Sequence, residues 1–158
     1  MKAITLTVLG TLAVVTLGCG GGGGNPLAKA DFLARGNAIC ETTLNRADEA
    51  ADRNFTEKGK VPTSQQMDGF TKDATNAVQD QVHQLRKLKP PKFDKDQVSK
   101  ILDEGQKAVD QVKDTPAALQ SQKPFARYSQ VARDYGLDMC GQTSDRISNQ
   151  ITKAAKGV

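Results

Sequence analysis

The sequence contains no tryptophan and one histidine, and aromatic residues make up only 4% of its 158 residues. With so few large rings, a core must be built mainly from Ala, Val, Leu and Ile. That composition suits closely packed helices better than a β-sandwich rich in β-branched and aromatic residues. The length is that of one domain and leaves no room for two ordinary cores. The sequence therefore predicts a single all-α domain.

Signatures of catalysis and metal binding are also scarce. His83 has no second histidine or free cysteine as a partner, so we interpret it as a surface residue rather than a metal ligand or general base. Asp48 and Asp52, with Glu49 between them, could bind a hard cation weakly, but such pairs usually form a solvated helix face. No serine lies in a nucleophile elbow, and the sequence has no C-x-x-C pair. We therefore expect neither an enzymatic activity nor a cofactor.

The charge is too small and too dispersed to indicate nucleic-acid binding. The formal net charge is +4, and removal of the first eighteen residues would take away only Lys2, leaving +3. A mild positive charge spread along the chain slightly favours an anionic membrane surface, but it is not the concentrated patch that nucleic acids require.

The first eighteen residues have the layout of a secretory signal. Lys2 provides a positive start, residues 3–17 form an uncharged and mostly apolar run, and the small residue Gly18 follows. The run is shorter than the ~20 residues that a membrane-spanning helix needs. We therefore predict a signal peptide over residues 1–18.

The next residue is Cys19, and Leu17-Gly18-Cys19 resembles the lipobox of bacterial lipoproteins. The resemblance implies that the thiol of Cys19 receives a diacylglycerol, that cleavage makes this residue the new N-terminus, and that palmitate-type acyl chains anchor the protein. Thr16 departs from the pattern, because an aliphatic residue is usual at that position. Ordinary cleavage without lipid and an uncleaved anchor are the alternatives.

Five glycines, Gly20 to Gly24, follow the cysteine. Since no predicted strand precedes them, they do not form a phosphate-binding loop. Glycine-rich segments behave as flexible coils, so residues 19–26 are predicted to be a tether between the lipid and the folded domain.

The remaining chain shows helical periodicity in four segments joined by short connections. Gly36 and Gly105 lie inside two of them, where each predicts the close approach of another segment. Gly136 followed by Leu137 indicates a Schellman stop after the fourth. These features predict a four-helix up-down bundle over residues 27–141, and residues 142–158 are either a fifth helix or a frayed tail.

The first helix is predicted to start between residues 27 and 31 and to end at Arg53. The second follows a cap at Thr63 or Ser64 and is stopped by Pro90-Pro91. The third starts at Asp94–Asp96 and ends at Thr115-Pro116, and the fourth runs from near Pro124 to the residue before Gly136.

The cysteine count is consistent with export. If Cys19 is lipidated, Cys40 and Cys140 remain, and two distant cysteines in an exported chain most simply form a disulfide. In an up-down bundle the end of the fourth helix lies near the start of the first, so the geometry allows this pairing.

A basic corner surrounds Pro90-Pro91, where the second helix is predicted to end. Cations in a last helical turn are favoured by the helix dipole, so a solvated helix end is the ordinary interpretation. A partner-binding corner is the alternative. Its basic residues are Arg86, Lys87, Lys89 and Lys92.

Three short motifs lie in order along residues 30–141. They are Ala30-Asp31-Phe32-Leu33 leading to Asn37-Ala38-Ile39-Cys40, then Leu85-x-x-Leu88-x-Pro90-Pro91, then Tyr135-Gly136-Leu137-x-x-Cys140-Gly141. Together they resemble small exported proteins and lipoproteins of actinobacteria. The resemblance implies a helical bundle with the two cysteines bridged, and it implies no activity.

The sequence therefore predicts a lipoprotein at the extracytoplasmic face of a bacterial membrane, acting as a non-catalytic interaction module for an unknown envelope protein or ligand. One alternative is a carrier of a small apolar ligand, which would need a cavity at the level of Gly36 and Gly105. A secreted protein without lipid is the other.

Overall fold

The computed structural model describes residues 25–57 and 59–157, and within these ranges all regular secondary structure is helical. The all-α prediction is confirmed for this part of the chain. The predicted signal peptide, Cys19 and the glycine tether before Asn25 lie outside the described residues. The elements are α1 (Lys29–Asn54), α2 (Ser64–Lys87), α3 (Lys95–Asp114), α4 (Ala118–Ser121), α5 (Ala126–Tyr135), a 3-10 turn (Cys140–Gln142) and α6 (Thr143–Lys156). None of the helices described combines the length and apolar character needed to cross a bilayer.

Helix α2 begins with a capping box. The hydroxyl oxygen of Thr63 accepts a hydrogen bond from the Gln66 amide at 3.3 Å, and the Gln66 side chain accepts one from the Thr63 amide at 2.8 Å. This satisfies two of the backbone donors that a helix start leaves without partners. At the other end α2 stops at Lys87, shortly before the two prolines, which cannot donate a backbone hydrogen bond.

Helix α5 ends in the predicted Schellman motif. Gly136 has φ 103°, the left-handed conformation that glycine adopts at little cost. Its amide donates to the carbonyl of Arg133, and the amide of Leu137 donates to the carbonyl of Ala132, both at 2.9 Å. The motif turns the chain so that Leu137 enters the core.

Hydrogen bonds at the helix ends show how the elements are oriented. The amide of Leu27 donates to the carbonyl of Lys89 at 3.3 Å, so the start of α1 lies beside the end of α2. The hydroxyl of Tyr135 donates to Asp94 at 2.9 Å, which places the end of α5 beside the start of α3. Both pairs of helices are therefore antiparallel. We call the end of the molecule that contains these contacts the proximal end.

Two clusters of buried side chains make up the core. The first contains Phe70, Phe125 and Ile147, and the second, toward the proximal end, contains Phe32 and Tyr128. Apart from Tyr135 in the second cluster, most of the other members are small or aliphatic, as the low aromatic content predicts. The first cluster also includes Ala47, Ala50, Ala74, Val78, Val109 and Val112. The second also includes Leu85, Val98, Ile101, Leu137 and the two cysteines.

Residues 143–156 form α6, the helical one of the two alternatives left open by the sequence. It packs against α1, α4 and α5, and Ile147 is buried in the core. Asp48 of α1 fixes its position, because this carboxylate accepts hydrogen bonds from Arg146 at 2.7 Å and from Gln150 at 2.6 Å. The described chain thus has α6, and the short α4, in addition to the four predicted helices.

Gly36 and Gly105, the two helical glycines singled out from the sequence, lie at close contacts, as predicted. A Cβ on Gly36 would be 2.5 Å from Leu137 Cδ2, and a Cβ on Gly105 would be 2.8 Å from Val82 Cγ2 and 3.1 Å from the Tyr128 ring. Neighbouring side chains therefore fill the space beside both glycines.

Candidate functional site

A disulfide joins Cys40 of α1 to Cys140, at the start of the turn between α5 and α6. The Cα atoms are 4.9 Å apart and both residues are fully buried. Asn37, one helical turn earlier, supports the same junction. Its side-chain amide donates to the carbonyl of Gly136 at 3.3 Å, and its oxygen accepts from the amide of Met139 at 2.9 Å. Because Asn37 satisfies backbone groups on both sides of Leu137, it fixes the segment that brings Cys140 to Cys40.

The basic corner forms the connection between α2 and α3 at the proximal end. Lys87, Lys89 and Lys92 are exposed, whereas Pro91 is buried and fixes the connection to the core. Phe93 follows Lys92 and is 92% exposed. The ammonium group of Lys92 lies 5.6 Å from the centre of the Phe93 ring. The corner therefore presents an aromatic ring among ammonium groups.

Arg86, the remaining basic residue of the predicted corner, is engaged on the side of the molecule. Its guanidinium donates to Gln106 of α3 at 3.0 Å, and Gln106 in turn donates to Asp110 at 2.9 Å. Arg86 thus helps to hold α2 against α3. The part of the predicted site that stays together at the corner is Lys87, Lys89 and Lys92.

A polar cluster joins this corner to the start of α1. Lys29 contacts Asp94 at 3.3 Å, and its ammonium lies 4.5 Å from the centre of the Tyr135 ring. Burial, together with the hydrogen bond to Asp94, raises the pKa of Tyr135. The cluster holds the first described residues of the chain against the α2–α3 connection. Helical periodicity does not predict it, because the three side chains come from three separate segments.

A second buried tyrosine lies in the middle of the bundle. Tyr128 is fully buried and accepts a hydrogen bond from the side chain of Gln81. Burial raises the pKa of Tyr128, which keeps its hydroxyl neutral. Among the described residues, the side-chain oxygen of Gln81 has no hydrogen-bond partner, and the pair is a polar inclusion in an apolar core.

The other titratable residues considered from the sequence do not converge. Asp48 is engaged by α6, and Glu49 lies 3.8 Å from Arg53. His83 is exposed, with Nε2 3.1 Å from the Gln79 side chain. Within the described ranges, no group of three or more His, Cys, Asp or Glu side chains is arranged to hold a metal ion.

Two grooves on the surface of the described chain lie away from the corner. One of about 360 Å³ runs between α2 and α3 and is lined by Thr71, Thr75, Val112 and Pro116 among others. Another of about 580 Å³ lies at the end of the molecule opposite the corner, beside Phe55.

Comparisons with protein-family models, with curated proteins and with solved structures find no match.

Proposed function

We propose that the protein is a non-catalytic interaction module of the bacterial cell envelope, held at the extracytoplasmic face of the membrane by a lipid on Cys19. The observation that supports this most directly is the Cys40–Cys140 disulfide. Disulfides persist in oxidising compartments, so the bridge favours export. It also leaves Cys19 as the one cysteine outside the pair, directly after an apolar segment that resembles a lipoprotein signal.

For the architecture we propose that α1, α2, α3 and α5 form an up-down bundle to which α6 is added. The antiparallel contacts at the proximal end support this topology, as do the short connections between successive helices. We also propose kinship with the exported actinobacterial proteins named above, because residues of all three motifs meet around the disulfide and the proximal end. Among them are Asn37, Leu85, Pro91, Gly136 and Leu137.

An interaction surface accounts for the structure better than a ligand carrier does. The carrier hypothesis needs a cavity at the level of Gly36 and Gly105, where Leu137, Val82 and Tyr128 fill the space. The corner, by contrast, lies on the surface, with Lys87, Lys89 and Lys92 exposed. Interaction through the surface is therefore the function that we favour.

The test of the anchor is an intact-mass measurement on protein purified from the membrane fraction. The expected mass is that of a chain lacking residues 1–18 and bearing a diacylglycerol, with or without a further acyl chain. A Cys19→Ser variant should lack this addition. Recovery of the wild-type chain in the soluble fraction with an unmodified N-terminus would show that the anchor is wrong. Pull-down from detergent extracts, compared with the Cys19→Ser protein, then tests for envelope partners.

A further inference from the structure

We propose that the α2–α3 connection is a second membrane contact, in which Lys87, Lys89 and Lys92 bind anionic lipid headgroups and the Phe93 ring enters the interface. The proposal rests on the anchored function above and deepens it by identifying the partner of the basic corner as an anionic lipid surface.

The first argument is the exposure of Phe93. Among the large hydrophobic side chains in the part of the chain that the structure describes, Phe93 and Val61 are exposed, to 92% and 73%. Phe93 adds almost nothing to the core, since nearly all of its surface remains in water. Aromatic rings next to cations are frequent at membrane interfaces, where the ring meets the acyl boundary and the cation meets the headgroup.

The second argument is charge. Residues 87–96 contain four basic and two acidic side chains, a net charge of +2. Of the two acidic residues, Asp94 is ion-paired with Lys29 and accepts a hydrogen bond from Tyr135, whereas Asp96 is exposed. Clustered basic residues are attracted by the negative surface potential of a membrane that contains anionic lipids.

The third argument is the position of the anchor. Leu27 is hydrogen-bonded to Lys89 at 3.3 Å, so the chain enters the folded domain at this corner. Leu27 is eight positions after Cys19, and a fully extended chain spans at most about 3.6 Å per residue. A lipid on Cys19 would thus keep the corner within roughly 30 Å of the bilayer. At such a short range the effective concentration of the corner at the membrane surface is high, which favours even a weak contact with the headgroups.

The shape of the corner favours a lipid surface over an acidic protein segment. A peptide partner generally occupies a groove, and the grooves described above are lined by residues other than those of the corner. The corner is a projecting turn with one exposed ring, and an interfacial contact requires no concavity.

The absence of tryptophan provides a direct test. Phe93→Trp would give the chain a single tryptophan at the corner, and Val61→Trp would give one at the opposite end as a matched control. The full chain is mixed with vesicles of phosphatidylglycerol and phosphatidylcholine or of phosphatidylcholine alone. With the anionic vesicles we expect a blue shift of the Phe93→Trp emission and quenching by brominated acyl chains. We expect neither with phosphatidylcholine alone, and no change for Val61→Trp in either mixture.

A charge variant tests the basic residues. In the Phe93→Trp background, replacement of Lys87, Lys89 and Lys92 by Gln should raise the lipid concentration for half-maximal shift by about tenfold or more. The reason is that each basic residue near an anionic surface contributes on the order of fivefold. Circular dichroism checks that these exposed substitutions leave the helices intact.

Three outcomes would overturn the docking proposal. The first is an unchanged Phe93→Trp spectrum with anionic vesicles, and the second is an equal shift for Val61→Trp. The third uses poly-glutamate as a mimic of an acidic protein segment. A Phe93→Trp shift with poly-glutamate but not with vesicles would indicate an acidic protein partner. The mass of Cys19 is measured on the same sample, so the two proposals can fail separately. An unlipidated chain that shows the shift contradicts only the anchor, and a lipidated chain without the shift contradicts only the docking.

Discussion

Gly36 illustrates how single residues determine the packing of this bundle. A Cβ at this position would lie 2.5 Å from Leu137 Cδ2 and 3.6 Å from Leu85 Cδ2, and both leucines are almost fully buried. Because Gly36 has no Cβ, the segment before Cys140 can approach α1 closely. The same close contact explains why a residue that costs ~1 kcal/mol in a helix is present there.

We expect Gly36→Ala to lower the free energy of unfolding by about 1 kcal/mol. Overpacking in a core costs about 1–3 kcal/mol, which exceeds the ~1 kcal/mol that alanine gains in helix propensity. Urea denaturation followed by circular dichroism measures the change. Ala38→Gly, at an exposed position of the same helix, is the control and should lose about 1 kcal/mol from propensity alone. Stabilisation by Gly36→Ala would contradict the close-contact explanation.

The two tyrosines of the chain give a residue-scale prediction about pH. Burial raises the pKa of both Tyr128 and Tyr135, and Asp94 raises that of Tyr135 further. A raised pKa means that the folded state favours the neutral phenol. This contribution to stability is fully present below the pKa of the unfolded state, about 10, and is lost as the pH rises above it.

We therefore expect tyrosinate absorbance to appear at higher pH in the native protein than in the protein unfolded by guanidinium. The signal is simple because the chain contains two tyrosines and no tryptophan. Tyr135→Phe serves as the control, and the native titration should then report Tyr128 alone. A tyrosine that ionises at the same pH in both states would show that its environment is not as described.

At the scale of elements, α6 contributes to the core through Ile147, whose side chain is 2% exposed. Truncation of a buried isoleucine to alanine costs about 2–5 kcal/mol. We expect Ile147→Ala to fall in this range in urea denaturation. Arg146→Gln is the matched control on the same helix. Its ion pair with Asp48 is partly exposed, so its loss should cost at most about 1 kcal/mol. Equal stabilities of Ile147→Ala and the wild-type protein would mean that α6 does not contribute to the core.

The sequence predicted the long elements well because each has a clear apolar stripe, as in α2 and α3. It left α6 undecided because few of its residues face the core, chiefly Ile147 and Ala154. At the candidate site it identified Lys87, Lys89 and Lys92 but not Phe93. A phenylalanine in a short connection carries no periodic signal, and its exposure depends on how α2 and α3 meet.

For the whole molecule, the Cys40–Cys140 bridge links α1 to the junction of α5 and α6, across a sequence separation of 100 residues. The segment between the bridged residues contains the part of α1 after Cys40 and all of α2, α3, α4 and α5. The bridge therefore restricts most of the unfolded chain. In the chain-entropy account such a bridge contributes about 4–5 kcal/mol, a large part of the 5–15 kcal/mol that is typical of a domain.

We expect Cys40→Ala, Cys140→Ala and the double variant to lose nearly the same free energy of unfolding, about 4–5 kcal/mol in urea denaturation. Either single substitution already abolishes the bridge, so the second should add little beyond the contacts of one buried sulfur. Cys19→Ser is the control for a cysteine substitution outside the pair and should leave the midpoint unchanged. If the losses of the two single variants instead add up in the double variant, the stabilisation comes from local packing at each cysteine. Restriction of the unfolded chain by the bridge would then not explain it.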